Sequence, residues 1–129
     1  MKIAKLEIGN SPRSYDLEER TGRFGEKIIK FCSTVKRDEI SRPLIVQLVR
    51  SSTSVGANYM EANGASSKKD FINKIFICKK EAQETKHWLR MLISYLPDRK
   101  SDIGELSQEC HELILIFQKI GSSARQNTT

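Results

Sequence analysis

The sequence is poor in the residues that stiffen, punctuate or cross-link a chain. Of 129 residues, only three are proline, seven glycine and three cysteine. So little proline and glycine excludes collagen-like repeats and low-complexity linkers. The glycines are scattered, so neither the phosphate-cradling P-loop nor the dinucleotide-binding fingerprint is present. Cys32, Cys78 and Cys110 make an odd, sparse set unsuited to a disulfide framework. Each falls on an apolar helical stripe and is expected in the core. No apolar run approaches the ~20 residues of a membrane span. Near the start, Lys2, Lys5 and Glu7 interrupt the apolar residues, which excludes a secretion signal there. The chain is expected to be soluble and cytoplasmic, with no membrane partner.

What the chain has is charge and helical periodicity. Lys and Arg number 22 against 16 Asp and Glu, a net charge of +6. The hydrophobic fraction of 38% is too high for general disorder, and the length suits a single domain. A domain this size buries roughly 70% of its unfolded surface and needs no staple. The positive balance admits a nucleic acid or another polyanion as partner.

Four segments carry spacings of three and four, each defining one apolar stripe of a helix. The first holds Leu17, Thr21, Phe24, Ile28, Phe31 and Val35, with Asp16 and Glu19 as a capping pair and Lys36-Arg37 at its end. The second opens at Ser41, the expected N-cap, with Pro43 in the first turn. Its main stripe is Leu44, Leu48, Ser51, Val55, Tyr59 and Ala62. A second stripe, Ile45, Val49, Thr53, Gly56 and Met60, is also apolar or small. Between residues 42 and 66 the only charges are Arg42, Arg50 and Glu61. A helix apolar on two faces is buried on two sides, so the second stripe is expected to meet another copy of the chain.

Ser67 caps the third segment, where Phe71, Ile75, Cys78, Ala82, Thr85, Leu89, Leu92 and Leu96 keep an unbroken spacing up to Pro97. The fourth starts at Ser101 or Asp102, carries Ile103, Leu106, Cys110, Leu113, Phe117 and Ile120, and is expected to end at Gly121. The expected fold is all-α, an antiparallel up-down-up-down four-helix bundle over residues 15–121. It is flanked by an N-terminal extension, 1–14, and a polar tail, 122–129. Only Lys2 to Ile8 hints at strand alternation.

Candidates for chemistry are few. Glu84 and His87 form one Glu-x-x-His, whereas di-iron bundles need two such motifs and further carboxylates; both residues lie off the core stripe. No metal, cofactor or catalytic residue is therefore expected, and His111 is read as a surface residue. The chain is not expected to be an enzyme. Two surfaces stand out instead. Residues 67–97 hold seven basic and three acidic residues, whereas 98–129 hold four and five. On a helical wheel Lys68, Lys79, Lys86 and Arg90 fall within about 40° of one another, with Lys69 and Lys80 on a neighbouring face. Such a stripe suits a phosphate backbone. The second surface is polar: Gln47, Arg50, Ser54, Asn58 and Glu61 stack along the second helix, and Glu81, Glu84 and Trp88 form a polar-aromatic stripe on the third. Arg50 is expected to pair with Glu61 or with one of the third-helix glutamates, setting helix register.

The run Arg50-Ser51-Ser52-Thr53-Ser54-Val55-Gly56-Ala57-Asn58-Tyr59-Met60-Glu61-Ala62 resembles the signature of the bacterial 23S rRNA-intervening-sequence proteins. Ser67-Lys68-Lys69-Asp70-Phe71, the stretch from Lys80 to Leu89, and Asp16-Leu17-Glu18-Glu19-Arg20-Thr21 match the same pattern, which covers roughly residues 15–121. The resemblance implies a four-helix bundle that assembles as a ring-like homopentamer, without established enzyme activity and associated with structured RNA. A similar bundle is the accessory protein of diversity-generating retroelements, which binds a reverse transcriptase and nucleic acid. Two functions follow as expectations. One is a non-catalytic oligomer holding structured RNA or DNA on its basic surface. The other is an adaptor for a nucleic-acid enzyme such as a reverse transcriptase, without direct nucleic-acid contact.

Overall fold

The computed structural model describes residues 16–126. It contains four helices: α1 (Leu17–Ser33), α2 (Ser41–Asn63), α3 (Lys68–Tyr95) and α4 (Lys100–Gln126). A single 3-10 turn, Pro97–Arg99, feeds into α4. No strand occurs among the described residues, and the Lys2–Ile8 segment and the 1–14 extension lie outside them.

Two caps form where expected. The Asp16 carboxylate accepts the Glu19 amide at 3.1 Å, and the Ser67 hydroxyl accepts the Asp70 amide at 3.0 Å. Elsewhere the boundaries differ. Ser41 is the first residue of α2 rather than its cap; Ile40 holds the cap position with no side-chain acceptor, and Asp38 supplies one from two residues upstream. Asp38 Oδ1 accepts the amides of Ile40 at 2.9 Å and Ser41 at 2.7 Å. Its other oxygen accepts the Tyr95 hydroxyl at 2.6 Å. These donors hold the Asp38 carboxyl at about 2, with the Ser41 amide and the Tyr95 hydroxyl the leading causes. Helix α1 stops at Ser33, before Lys36 and Arg37, but Arg37 reaches back and donates to the carbonyls of Cys32 and Val35. Gly121 does not end α4. It is buried beside Phe76 and Ile75, and the helix runs on through residues 122–126 with Ala124 in the core.

The main apolar stripe of each helix turns inward, with Leu44 and Leu96 at the margin only partly covered. Each fully buried Leu, Ile or Phe contributes about 1.5–3 kcal/mol, so the stripes carry most of the folding free energy. All three cysteines are buried. Loss of solvent pushes the Cys32 thiol up to about 11 and those of Cys78 and Cys110 up to about 12.

Each helix packs on the next, and α4 returns to α1. The four resulting seams differ in chemistry. Between α1 and α2 the backbones approach closely: a Cβ on Gly56 would sit 3.3 Å from Thr21 Oγ1, and one on Gly25 would sit 3.7 Å from Thr53. Between α2 and α3 polar contacts cross beside the apolar core, including a buried Thr85–Ser51 hydroxyl pair at 2.8 Å. Pairing of residue 50 with 84, 51 with 85 and 61 with 74 makes these two helices antiparallel. Between α3 and α4, the Cys110 thiol donates to the Ala82 carbonyl at 3.0 Å. Between α4 and α1 a single arginine bridges the gap. Arg20 donates two parallel bonds to Glu109, at 2.7 and 2.8 Å, and a third to Glu112 at 2.9 Å.

Candidate nucleic-acid interface

Lys68, Lys69, Lys79, Lys80, Lys86 and Arg90 are all carried by α3, the longest helix. At 1.5 Å per residue the span from Lys68 to Arg90 is about 33 Å. Lys68, Lys79 and Lys86 are half-buried, laying their aliphatic stems along the bundle, while Lys69, Lys80 and Arg90 are exposed. Lys79 and Lys86 lean across the seam to α4. Lys79 Nζ donates to Gln118 Oε1, and Lys86 Nζ donates to His111 Nδ1 at 3.0 Å. His111 is thus a partner of the basic face rather than a bystander.

Neither partner is a carboxylate, and that is the electrostatic point. Among the described residues, Arg20, Arg23, Arg50, Lys74 and Arg99 each form an ion pair with a carboxylate. Lys69, Lys79, Lys80, Lys86 and Arg90 form none. The positive charge of α3 is left facing solvent along one side of the bundle.

The polar stripe resolves into separate pieces. Arg50 donates to Glu84 at 2.9 Å, to Glu81 at 3.3 Å and to the Gln47 side-chain carbonyl at 3.1 Å. It therefore pairs with both third-helix glutamates and not with Glu61, which pairs with Lys74 at 2.8 Å. Ser54 and Asn58 do not cross to α3. Ser54 donates to the Arg50 carbonyl and Asn58 to the Ser54 carbonyl, both within α2. Burial raises the Glu81 carboxyl above its ordinary range, and the adjacent Glu84 carboxyl adds to the rise, against the lowering influence of Arg50. Glu84 is committed to α2, whereas His87 packs edge-on against Trp88 with ring centroids 4.9 Å apart. Among the described residues no group of three or more His, Cys, Asp or Glu is placed to hold a metal.

The expected self-association stripe is divided by the bundle itself. Ile45 is only 5% exposed and belongs to the protomer core, so it has almost no surface to offer a second copy. Gly56 is occupied by its approach to Thr21, and Val49 is half-covered. Helix α1 has taken the half of the stripe that was assigned to a partner. Thr53 and Met60 remain exposed, next to Ala57 and, across the seam, Ile29. The groove between them has a volume of ≈ 300 Å³.

The structure adds residues that the periodicity did not single out. Arg20, Glu109 and Glu112 form the strongest ion-pair cluster among the described residues. Asp102, Glu105, Glu109 and Glu112 recur at spacings of three, four and three, a stripe that would have flagged an acidic face on α4. Nothing in the sequence tied it to Arg20.

These features define a small all-α bundle with a row of α3 cations that no carboxylate pairs. Residues 14–119 match the model of the 23S rRNA-intervening sequence protein family, and the chain belongs to that family. A crystal structure of a protein of unknown function from the S23 ribosomal protein family of Bacteroides thetaiotaomicron is similar. It is 30% identical, over 81% of this chain and 97% of that one, with a TM-score of 0.75. No curated protein matches the chain. No helix among the described residues is long and apolar enough to cross a membrane.

Proposed function

We propose that the protein is a non-catalytic, homo-oligomeric bundle that holds structured RNA or DNA against the basic face of α3. The observation that carries this reading is the sorting of charge. Lys69, Lys79, Lys80, Lys86 and Arg90 share one helix and none is ion-paired, whereas cations without an ion pair on the other helices are sparse: Lys27 and Lys30 on α1, Arg42 on α2, Lys100 and Lys119 on α4. Phosphates are the natural counter-charge for such a row, and their contacts position a nucleic acid without reading its sequence. Self-association is supported by Thr53, Met60 and Ile29, which leave apolar surface uncovered on one side of each protomer. A pentamer, the assembly implied by the family resemblance, would repeat the basic face five times and multiply weak contacts by avidity.

The test is a salt titration with structured RNA and with duplex DNA. Three to five lysine and arginine contacts per protomer predict log K falling with log salt at a slope of about −3 to −5 on duplex DNA. Light scattering supplies the mass, and Met60→Glu is expected to lower it. No binding at low salt would remove the nucleic-acid reading. Binding by a reverse transcriptase instead, with no nucleic-acid contact, would favour the adaptor.

A further inference from the structure

A groove of ≈ 460 Å³ interrupts the basic face between α3 and α4. It is lined by Gln83, Lys86, His87, Arg90 and Ile93 of α3 and by Ser107 of α4. Its size falls within the range of small-ligand sites, about 300–1,000 Å³. Its floor is Ile93, half-buried against the core. The aliphatic stems of Lys86 and Arg90 and the imidazole of His87 complete walls on which a flat ring can lie. Gln83 and Ser107 supply a donor and an acceptor each at the rim. A cationic row that only follows a phosphate backbone has no use for such a recess, because phosphates are met by exposed ammonium groups.

We propose that this groove receives an unpaired nucleobase while Lys86 and Arg90 hold the phosphates beside it. The inference rests on the nucleic-acid reading above and narrows it to strands with unpaired bases. In a duplex the base faces are stacked and cannot enter, so a duplex engages the cations alone. In a loop or bulge a base can leave the stack, lie on Ile93 and His87, and present its edge to Gln83 and Ser107.

The sole tryptophan makes the groove observable. His87 contacts the Trp88 ring edge-on at 4.9 Å, so a base lying against His87 alters the surroundings of the one indole in the chain. The experiment compares the full-length protein on an RNA hairpin with an unpaired adenine-rich loop and on a blunt RNA duplex with the same number of phosphates. Affinity and Trp88 emission are read at several salt concentrations. The hairpin is expected to bind about tenfold tighter or more, the scale of one stacked base, and to change the emission. The duplex leaves the emission unchanged. Ser107→Phe fills the groove from α4 without removing a cation. It is expected to abolish both the preference and the emission change while leaving duplex affinity intact. Should Ser107→Phe not fold, Gln83→Phe on the exposed rim does the same. Equal binding of hairpin and duplex with unchanged emission overturns the groove proposal and leaves the phosphate reading standing. So does a hairpin preference that survives the filled groove. Absence of binding to both RNAs at low salt overturns both.

Discussion

Removing Arg20 tests whether the α1–α4 seam depends on one side chain. This seam is the least intimate of the four, and Arg20 crosses it with three charge-assisted hydrogen bonds of 2.7 to 2.9 Å. The side chain is 17% exposed, that of Glu109 27% and that of Glu112 45%. Exposed pairs contribute about 0–1 kcal/mol, and breaking a buried pair costs about 3–5 kcal/mol. The Arg20–Glu109 pair is bidentate and mostly covered, so its coupling belongs between those limits, at about 1–2 kcal/mol. Glu112 is close to half exposed, and its coupling is discounted to below about 0.5 kcal/mol. Arg20→Ala also loses the packing of the stem and leaves Glu109 facing the seam without its counter-charge. A total of about 2–3 kcal/mol follows, or roughly 8–12 °C in Tm at about 4 °C per kcal/mol. The assay is a double-mutant cycle with Arg20→Met and Glu109→Gln, by urea unfolding at fixed protein concentration, because assembly shifts apparent stability. An Arg20–Glu109 coupling below about 0.3 kcal/mol would refute the argument that this pair holds the seam.

Four other outcomes are expected. Thr85→Val leaves the buried Ser51 hydroxyl without its 2.8 Å partner, and urea unfolding should show a loss of about 1–3 kcal/mol. Asp38 has a folded pKa of about 2, below its unfolded value, so its contribution is present above about pH 4 and is lost as pH falls towards 2. The Tm difference between wild type and Asp38→Asn should shrink across that window, and a pH-independent difference would contradict the cap assignment. The three thiols, buried and raised to about 11 or 12, should resist an aromatic disulfide reagent in the folded protein and react fully in denaturant. Arg90→Glu replaces a like-charged neighbour of Lys86 four residues away with an opposite charge, so it should hold or slightly raise stability while weakening nucleic-acid binding. Unchanged affinity for both hairpin and duplex would remove Arg90 from the interface.

The core was legible because it is periodic. Phe71 to Leu92 could be assigned to one buried face from spacing alone, since burying one side of a helix imposes that spacing on any sequence. The capping pairs at Asp16 and Ser67 were legible for the same local reason. The cap of α2 was not, because Asp38 acts across a connection whose shape depends on Tyr95 of another helix. Gly121 misled because a glycine near the end of an apolar stripe signals a cap, while here it is a buried helix residue packed beside Phe76 and Ile75. The second stripe of α2 shows the limit of periodicity. It correctly marks a face that must be covered, but it cannot distinguish a neighbouring helix from a neighbouring copy. Gly56 shows that α1 covers part of the face, since a Cβ there would press on Thr21.

Charge on α3 poses a problem that stability does not solve. Lys86 and Arg90 are four residues apart on one face, an arrangement that costs a few tenths of a kcal/mol rather than gaining it. Carboxylates are available: Glu109 and Glu112 lie on α4, the helix against which Lys86 packs. They are turned to the opposite seam, where they hold Arg20. The bundle thus places acid on the α1 side of α4 and base on the α3 side, and satisfies Lys79 and Lys86 with Gln118 and His111, groups that accept a hydrogen bond without cancelling the charge. A fold optimised only for its own stability would spread these charges or pair them. Keeping them apart preserves a positive face at some cost to the folded state. That cost is accounted for if an anion completes the face, which is why the location of the charge, and not its net value, supports the functional reading.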